Sequence, residues 1–226
     1  NEWINKTLST GDVAISQSTK HNVLMSGAKA NYGVDFASLV DSSAAFQAYF
    51  NWCILTGKTP FIPFARKERY RIDTTVTIET NGFYIDGDSA PLYDTLGAAT
   101  PGEFSGLITG AAALTAGTAL KFDQNNNGPH RGCRIIECSA HGFIDVFKFE
   151  ASTPSNLSVA TVVIEGGVYR TCTNVANAVT RGFGFRYIGN QSEQGARITG
   201  AWDAGVTIMD NMLEGQSNAI NIDSNA

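Results

Sequence analysis

No stretch of the 226-residue sequence is apolar over the ~20 residues that a membrane-spanning helix needs. No cluster of Lys and Arg supplies the basic surface that nucleic acid or an anionic membrane attracts. Charged residues make up only 16% of the chain and leave a net charge of −5, so no nucleic-acid partner and no membrane insertion are expected. Residues 1–11 lack the basic-then-apolar pattern of a signal peptide, and the chain reads as a fragment of a longer one. Cysteine is scarce. Cys53, Cys133, Cys138 and Cys172 form no CxxC pair and have no His at zinc-finger spacing, so free buried thiols are expected and no metal or cofactor is. A Cys133–Cys138 bridge would need an oxidising compartment that nothing announces. His130 and His141 stand isolated, as turn or packed histidines do.

What is abundant points to one elongated all-β domain. The chain is 43% hydrophobic, enough for a sizeable core, and 23 glycines with many Asn, Ser and Thr punctuate short β-runs. Residues 1–30 carry weak signals, with strands expected at Gly11–Ile15 and Asn22–Met25. After Asp41, the residues Ala45, Phe46, Tyr49, Phe50, Cys53 and Ile54 recur at helical spacing. Asp41 or Ser42 can cap this helix and Gly57 can end it. Its apolar stripe must cover a hydrophobic surface, because a helix of this length is marginal alone.

Beyond it come TPFIPFARKERYRID, TVTIE and GFYIDGD, then ALKFD, CRIIECS, GFIDVFKFE, TVVIEGGVY, GFGFRYIGN, ARITG, GVTIMDNMLEG and AINID. No helical segment separates them. Short strands without helices form either hairpins or a coil that climbs one strand spacing per turn. Asn-Gly hairpin signals are few, as at Asn81–Gly82, so the coil is favoured over a β-sandwich. An imperfect repeat agrees with this: an apolar strand, an acidic residue, a small or Asn turn, then a second apolar strand.

The segment from Ser26 to about residue 90 resembles the opening module of pectate-lyase-like β-helix proteins, especially bacteriophage tailspikes. Ser26–Gly27–Ala28, the helix from Asp41 to Gly57, Phe61–Ile62–Pro63, Tyr70–Arg71–Ile72 and Asp86–Gly87–Asp88 follow in that family's order. Asn31–Tyr32–Gly33 replaces its usual Gly-Asp-Gly turn. Pro63–Phe64–Ala65 and an inserted ARKER replace its Pro-Pro-Gly. The resemblance implies a right-handed single-stranded parallel β-helix with a short N-terminal capping α-helix. Residues 1–30 would be an arm or neck, 31–95 the opening module with the capping helix, and 96–226 rungs at the front of a longer coil. It also implies a homotrimer on a virion tail, attached through a missing N-terminal part, that binds and cleaves bacterial capsule or lipopolysaccharide O-chains outside the cell. A binding-only tail protein and a free polysaccharide lyase or hydrolase are the alternatives. The last lacks support, since no Asp cluster at Ca²⁺-ligand spacing and no Lys-Arg pair suited to a lyase base is present.

Glycoside hydrolysis needs two carboxyl groups. Aligning the repeats puts Glu137, Glu165 and Asp210 at one place, where an apolar strand turns. Stacked one strand spacing apart, ~4.8 Å, Glu137 and Glu165 would suit a retaining pair; Glu165 and Asp210, about two spacings apart, an inverting pair. Asp203 beside Trp202, and Glu214, are further candidates. An acid at a strand end is also an ordinary solvated turn residue. Tyr169, Arg170, Arg181, Arg186, Tyr187 and Trp202 offer the flat faces and planar donors that sugars, including acidic ones, require, or else coat the outside of a solenoid.

Overall fold

The structure is a computed structural model that describes residues 20–29, 40–63, 69–80, 83–87, 106–108, 116–123, 131–150, 159–193 and 198–214. Every strand pairing among them is parallel. That excludes the antiparallel sandwich.

The strands fall into three ladders that the chain visits in turn. The first holds β1 (Lys20–Asn22), β2 (Thr59–Phe61), β5 (Tyr84–Asp86), β8 (Arg131–Ile136), β11 (Val159–Glu165), the second half of β13 (Asn174–Ile188) and β16 (Thr207–Met209). The second holds β3 (Arg69–Arg71), β6 (Gly106–Ile108), β9 (Ala140–His141), β12 (Val168–Arg170), β14 (Gln191–Glu193) and β17 (Met212–Leu213). The third holds β4 (Val76–Ile78), β7 (Ala116–Asp123), β10 (Phe143–Glu150), the first half of β13 and β15 (Ile198–Ala204). Because β13 runs through the corner unbroken, it joins the first and third ladders into one 11-stranded sheet. Asn81–Gly82 lies outside the described residues, and β4 and β5 on either side of it pair with different ladders and not with each other. The strand expected at Asn22–Met25 is a 3-10 turn over Val23–Ser26 after β1. The strands expected at Gly11–Ile15 and in AINID lie outside the described residues.

Side chains alternate in and out along each strand, so in-register stacking builds columns of like residues. Ile85, Ile135, Ile164 and Tyr187 form one buried column on the first ladder. On the second, Tyr70, Leu107, Ala140, Tyr169 and Ser192 form another. Ile78, Phe122, Phe149 and Ala178 form a third, with the Phe122 and Phe149 rings stacked at 5.0 Å. Burying each large apolar side chain contributes about 1.5–3 kcal/mol. All four cysteines are free and buried in or beside the columns.

The corner after the first ladder is also a column. Glu137, Gly166, Gly189 and Asp210 follow paired residues of β8, β11, β13 and β16, and all four have left-handed backbones, φ 50, 71, 62 and 55°. The first three pass their N–H to the next layer: Glu137 N–H donates to Glu165 O at 2.7 Å, Gly166 to Ile188 O and Gly189 to Met209 O, both at 3.1 Å. Asn190 and Asn211 follow the last two. The Asn190 amide donates to Ile164 O and Ile188 O while its Oδ1 accepts from Gly167 N–H. Asn211 repeats the device, donating to Tyr187 O and Met209 O.

The helix α1 (Ser43–Thr56) closes the start of the stack, with Phe46 and Phe50 fully buried and Ile54 half-buried. Asp41 performs the cap, accepting from Ser43 N–H at 2.9 Å, and Gly57 ends the helix at φ 65°. An edge strand exposes unpaired main-chain groups. Here side chains of α1 satisfy them. The Gln47 amide donates to Thr77 O and accepts from Thr77 N–H, both at 2.8 Å, and the Ser43 hydroxyl accepts from Asp73 and Thr74 N–H. Tyr49 Oη accepts from Phe61 N–H.

Replacing Phe50 by Ala is expected to cost about 3–5 kcal/mol in urea unfolding, because nothing else fills its place against Phe46 and Phe83. Gly167→Ala should cost about 1–3 kcal/mol: an added Cβ would collide with Cys138 O and the Tyr169 hydroxyl. An unchanged urea midpoint in either variant would contradict the packing described.

Candidate functional site

The alternation that buries Ile135, Ile164 and Tyr187 turns their neighbours outward. Tyr84, Arg134, Val163, Arg186 and Thr207 make one outer column of the first ladder, and Ile136, Glu165, Ile188 and Met209 a second. Arg134 Nη2 donates to Glu165 Oε2 at 3.0 Å across adjacent strands, with the two side chains 50% and 41% exposed. The same guanidinium lies 6.0 Å from the Tyr84 ring centroid, within cation–π range. Arg186 is exposed two layers beyond Arg134. This face offers an aromatic ring and two guanidinium forks in one column and a carboxylate in the adjoining one, on layers ~4.8 Å apart.

Register separates the acidic residues that the repeat alignment put together. Glu165 pairs with Ile136 and Ile188, so it stands one residue before the corner column that holds Glu137 and Asp210. Glu137 and Glu165 lie on adjacent layers. Asp210 is two layers from Glu165 and three from Glu137, beyond the reach of a retaining pair with either. Local alignment missed this because Glu137 and Gly166 share the left-handed position, and only strand pairing shows it.

Tyr169 and Tyr187 are core residues, not sugar platforms. Both are 0% exposed, Tyr187 bonded to the Ser192 hydroxyl at 2.5 Å and Tyr169 packed edge-on against Phe147. Arg170 is half-buried on the second ladder, paired in register with His141, away from Arg186. Trp202 and Asp203 lie in β15 and Arg181 in β13, but their side chains lie outside the described residues, as His130 does. Glu214 is exposed just after β17.

One cluster was missed by sequence reasoning. Lys121 Nζ contacts Asp123 at 2.9 Å and Glu150 at 3.0 Å, and Lys148 contacts Glu150 at 2.7 Å. The signal was the recurrence of Lys-Phe-acid in Lys121–Phe122–Asp123 and Lys148–Phe149–Glu150, which register places side by side. Burial pushes the Glu150 carboxyl up, but bonds from Lys148 and Lys121 outweigh it and hold it below its ordinary value. A carboxylate held ionised in this way cannot serve as a general acid near neutral pH. The cluster ties β7 to β10.

No family model matches the chain, and no curated protein does. Among solved structures, it has a slight likeness to the crystal structure of a "putative glycosyl hydrolase" from Parabacteroides merdae. The TM-score is 0.27 at 10% identity, over 87% of this chain and 98% of that one, which is too low to carry an argument about function.

His141 gives a pH test of the region. Burial, with the Arg170 charge adding to it, pushes its pKa down to about 4 from the ordinary 6.5. Between those values the unfolded chain binds the extra proton, so stability is full above pH 6.5 and falls as pH drops toward 4. A loss on the order of 2 kcal/mol between pH 7 and 4.5 is expected from this group. Urea titrations of His141→Asn should show a correspondingly shallower decline, and an identical decline would mean that other groups cause it.

Proposed function

We propose that the three ladders form a right-handed single-stranded parallel β-helix whose outer face along the first ladder binds a linear bacterial surface polysaccharide. The observation that carries this is the outward face on which Tyr84, Arg134 and Arg186 share one column and Glu165 stands in the adjoining column, on the layer between the two arginines. A regularly spaced row suits a polymer that repeats along one direction. Guanidinium forks recognise hydroxyl or carboxylate pairs on the sugars, and a tyrosine edge contributes apolar contact. In the resemblance of residues 26–90, the protein acts as a homotrimeric phage tailspike at the host surface and depolymerises the glycan it holds. Cleavage would fall to Glu165, with Glu137, on the adjacent layer and one residue further along, as its partner. A binding-only role is favoured by the ion pair that already engages Glu165 with Arg134.

Incubation with a panel of purified capsular and O-chain polysaccharides, read as retained polymer and as new reducing ends, tests both readings. Arg186→Ala is expected to weaken retention about tenfold without altering the thermal midpoint, since its side chain is exposed. If reducing ends appear, Glu165→Gln should slow their release by about 10²–10⁴-fold with retention nearly unchanged. Retention without reducing ends in the wild type selects the binding-only role. A wild type that retains no polymer rules out glycan binding altogether.

A further inference from the structure

Within the first ladder a second column of left-handed residues runs one residue before Cys133, Val162, Phe185 and Val206: Gly132, Thr161, Gly184 and Gly205, with φ 72, 59, 67 and 69°. Three of the four are glycine, which adopts this conformation without steric penalty. The fourth is β-branched, the residue class least tolerant of it. Such strain persists where something compensates, and it gathers at binding sites.

Among the described residues, no contact of the Thr161 side chain offsets this strain. Its side chain is exposed, so it fills no part of the core. Among the described residues its hydroxyl makes no hydrogen bond, whereas Thr171, left-handed at φ 52°, has an interaction of its own. The neighbouring glycine does not need it either: a Cβ at Gly184 would sit in ordinary contact with Thr161, 3.4 Å from its N and 3.8 Å from Oγ1. The residue belongs to the strand that carries Val163 and Glu165, on the layer between Arg134 and Arg186.

We propose that the Thr161 hydroxyl is a specificity-determining contact of the outer face, exchanging hydrogen bonds with a sugar hydroxyl or ring substituent of a polysaccharide lying along Tyr84, Arg134, Glu165 and Arg186. This rests on the glycan-binding reading of that face. Its distinguishing property is that fold and ligand pull in opposite directions at one residue.

The test uses Thr161→Gly and Thr161→Ser in the full chain, with the polysaccharide of the panel that the wild type retains best as the probe. Thr161→Gly should hold or raise the thermal midpoint, the strain removed offsetting the entropy that glycine adds to the unfolded chain, and weaken retention about tenfold by removing the hydroxyl. Thr161→Ser keeps the hydroxyl and should bind within about twofold of wild type. A Gly variant that binds as tightly as wild type overturns the proposal, as does a Ser variant that loses as much as Gly. A Gly variant that melts clearly below wild type shows that no strain was stored there and overturns it also. Wild-type protein that retains no polymer overturns the underlying reading of the face, and Thr161 with it.

Discussion

Parallel strands have no tight hairpin to set their register, so each return of the chain to a ladder must be fixed by the corner it has just turned. Here the left-handed corner at Glu137, Gly166, Gly189 and Asp210 does this, because each of the first three residues donates its N–H to a carbonyl one layer on. A slip of one residue would move Ile135, Ile164 and Tyr187 to the surface and bring Arg134, Val163 and Arg186 into the core. The Asn190 and Asn211 amides stiffen the corner on the last two layers, each bonding carbonyls on its own and the preceding layer.

Once register is fixed, the core and the candidate site follow from the same alternation. Inward columns hold Ile, Phe, Leu and Tyr; outward columns carry whatever residue the sequence puts at the intervening positions. Thus Arg134 reaches Glu165 across one strand spacing, and Lys121 reaches both Asp123 and Glu150. The two clusters differ in exposure. Asp123 is nearly buried and its network ties two strands together, whereas Glu165 and Arg134 remain open to a ligand.

The open start of a parallel stack would leave a row of unpaired amides and carbonyls facing solvent. Helix α1 covers it by two means at once: Phe46 and Phe50 extend the core, while Gln47 takes the Thr77 main-chain bonds that another strand would have made and Ser43 and Tyr49 take those of Asp73, Thr74 and Phe61. A helix chosen for apolar surface alone would leave those groups unsatisfied, each costing about 1–3 kcal/mol if buried.

The helix from Ser43 to Thr56, its Asp41 and Gly57 ends, the short strands and the free cysteines were legible in the sequence, because each depends on spacing or composition within a few residues. Periodicity could not tell inside from outside where every third or fourth residue is aromatic or charged. Tyr169 and Tyr187 looked like platforms and are core, because burial depends on which layers lie above and below. Nor did Glu137, Glu165 and Asp210 declare their columns: a left-handed corner shifts the count by one, and an Asp or Glu can stand where the next layer has Gly. The Lys-Phe-acid recurrence was in plain view, yet it acquires meaning only when β7 and β10 are paired. The sequence by itself determined that this chain makes many short strands closed by one amphipathic helix. Tertiary structure decided which side chains share a face, because parallel pairing joins residues twenty or more positions apart through main-chain bonds that no local pattern encodes.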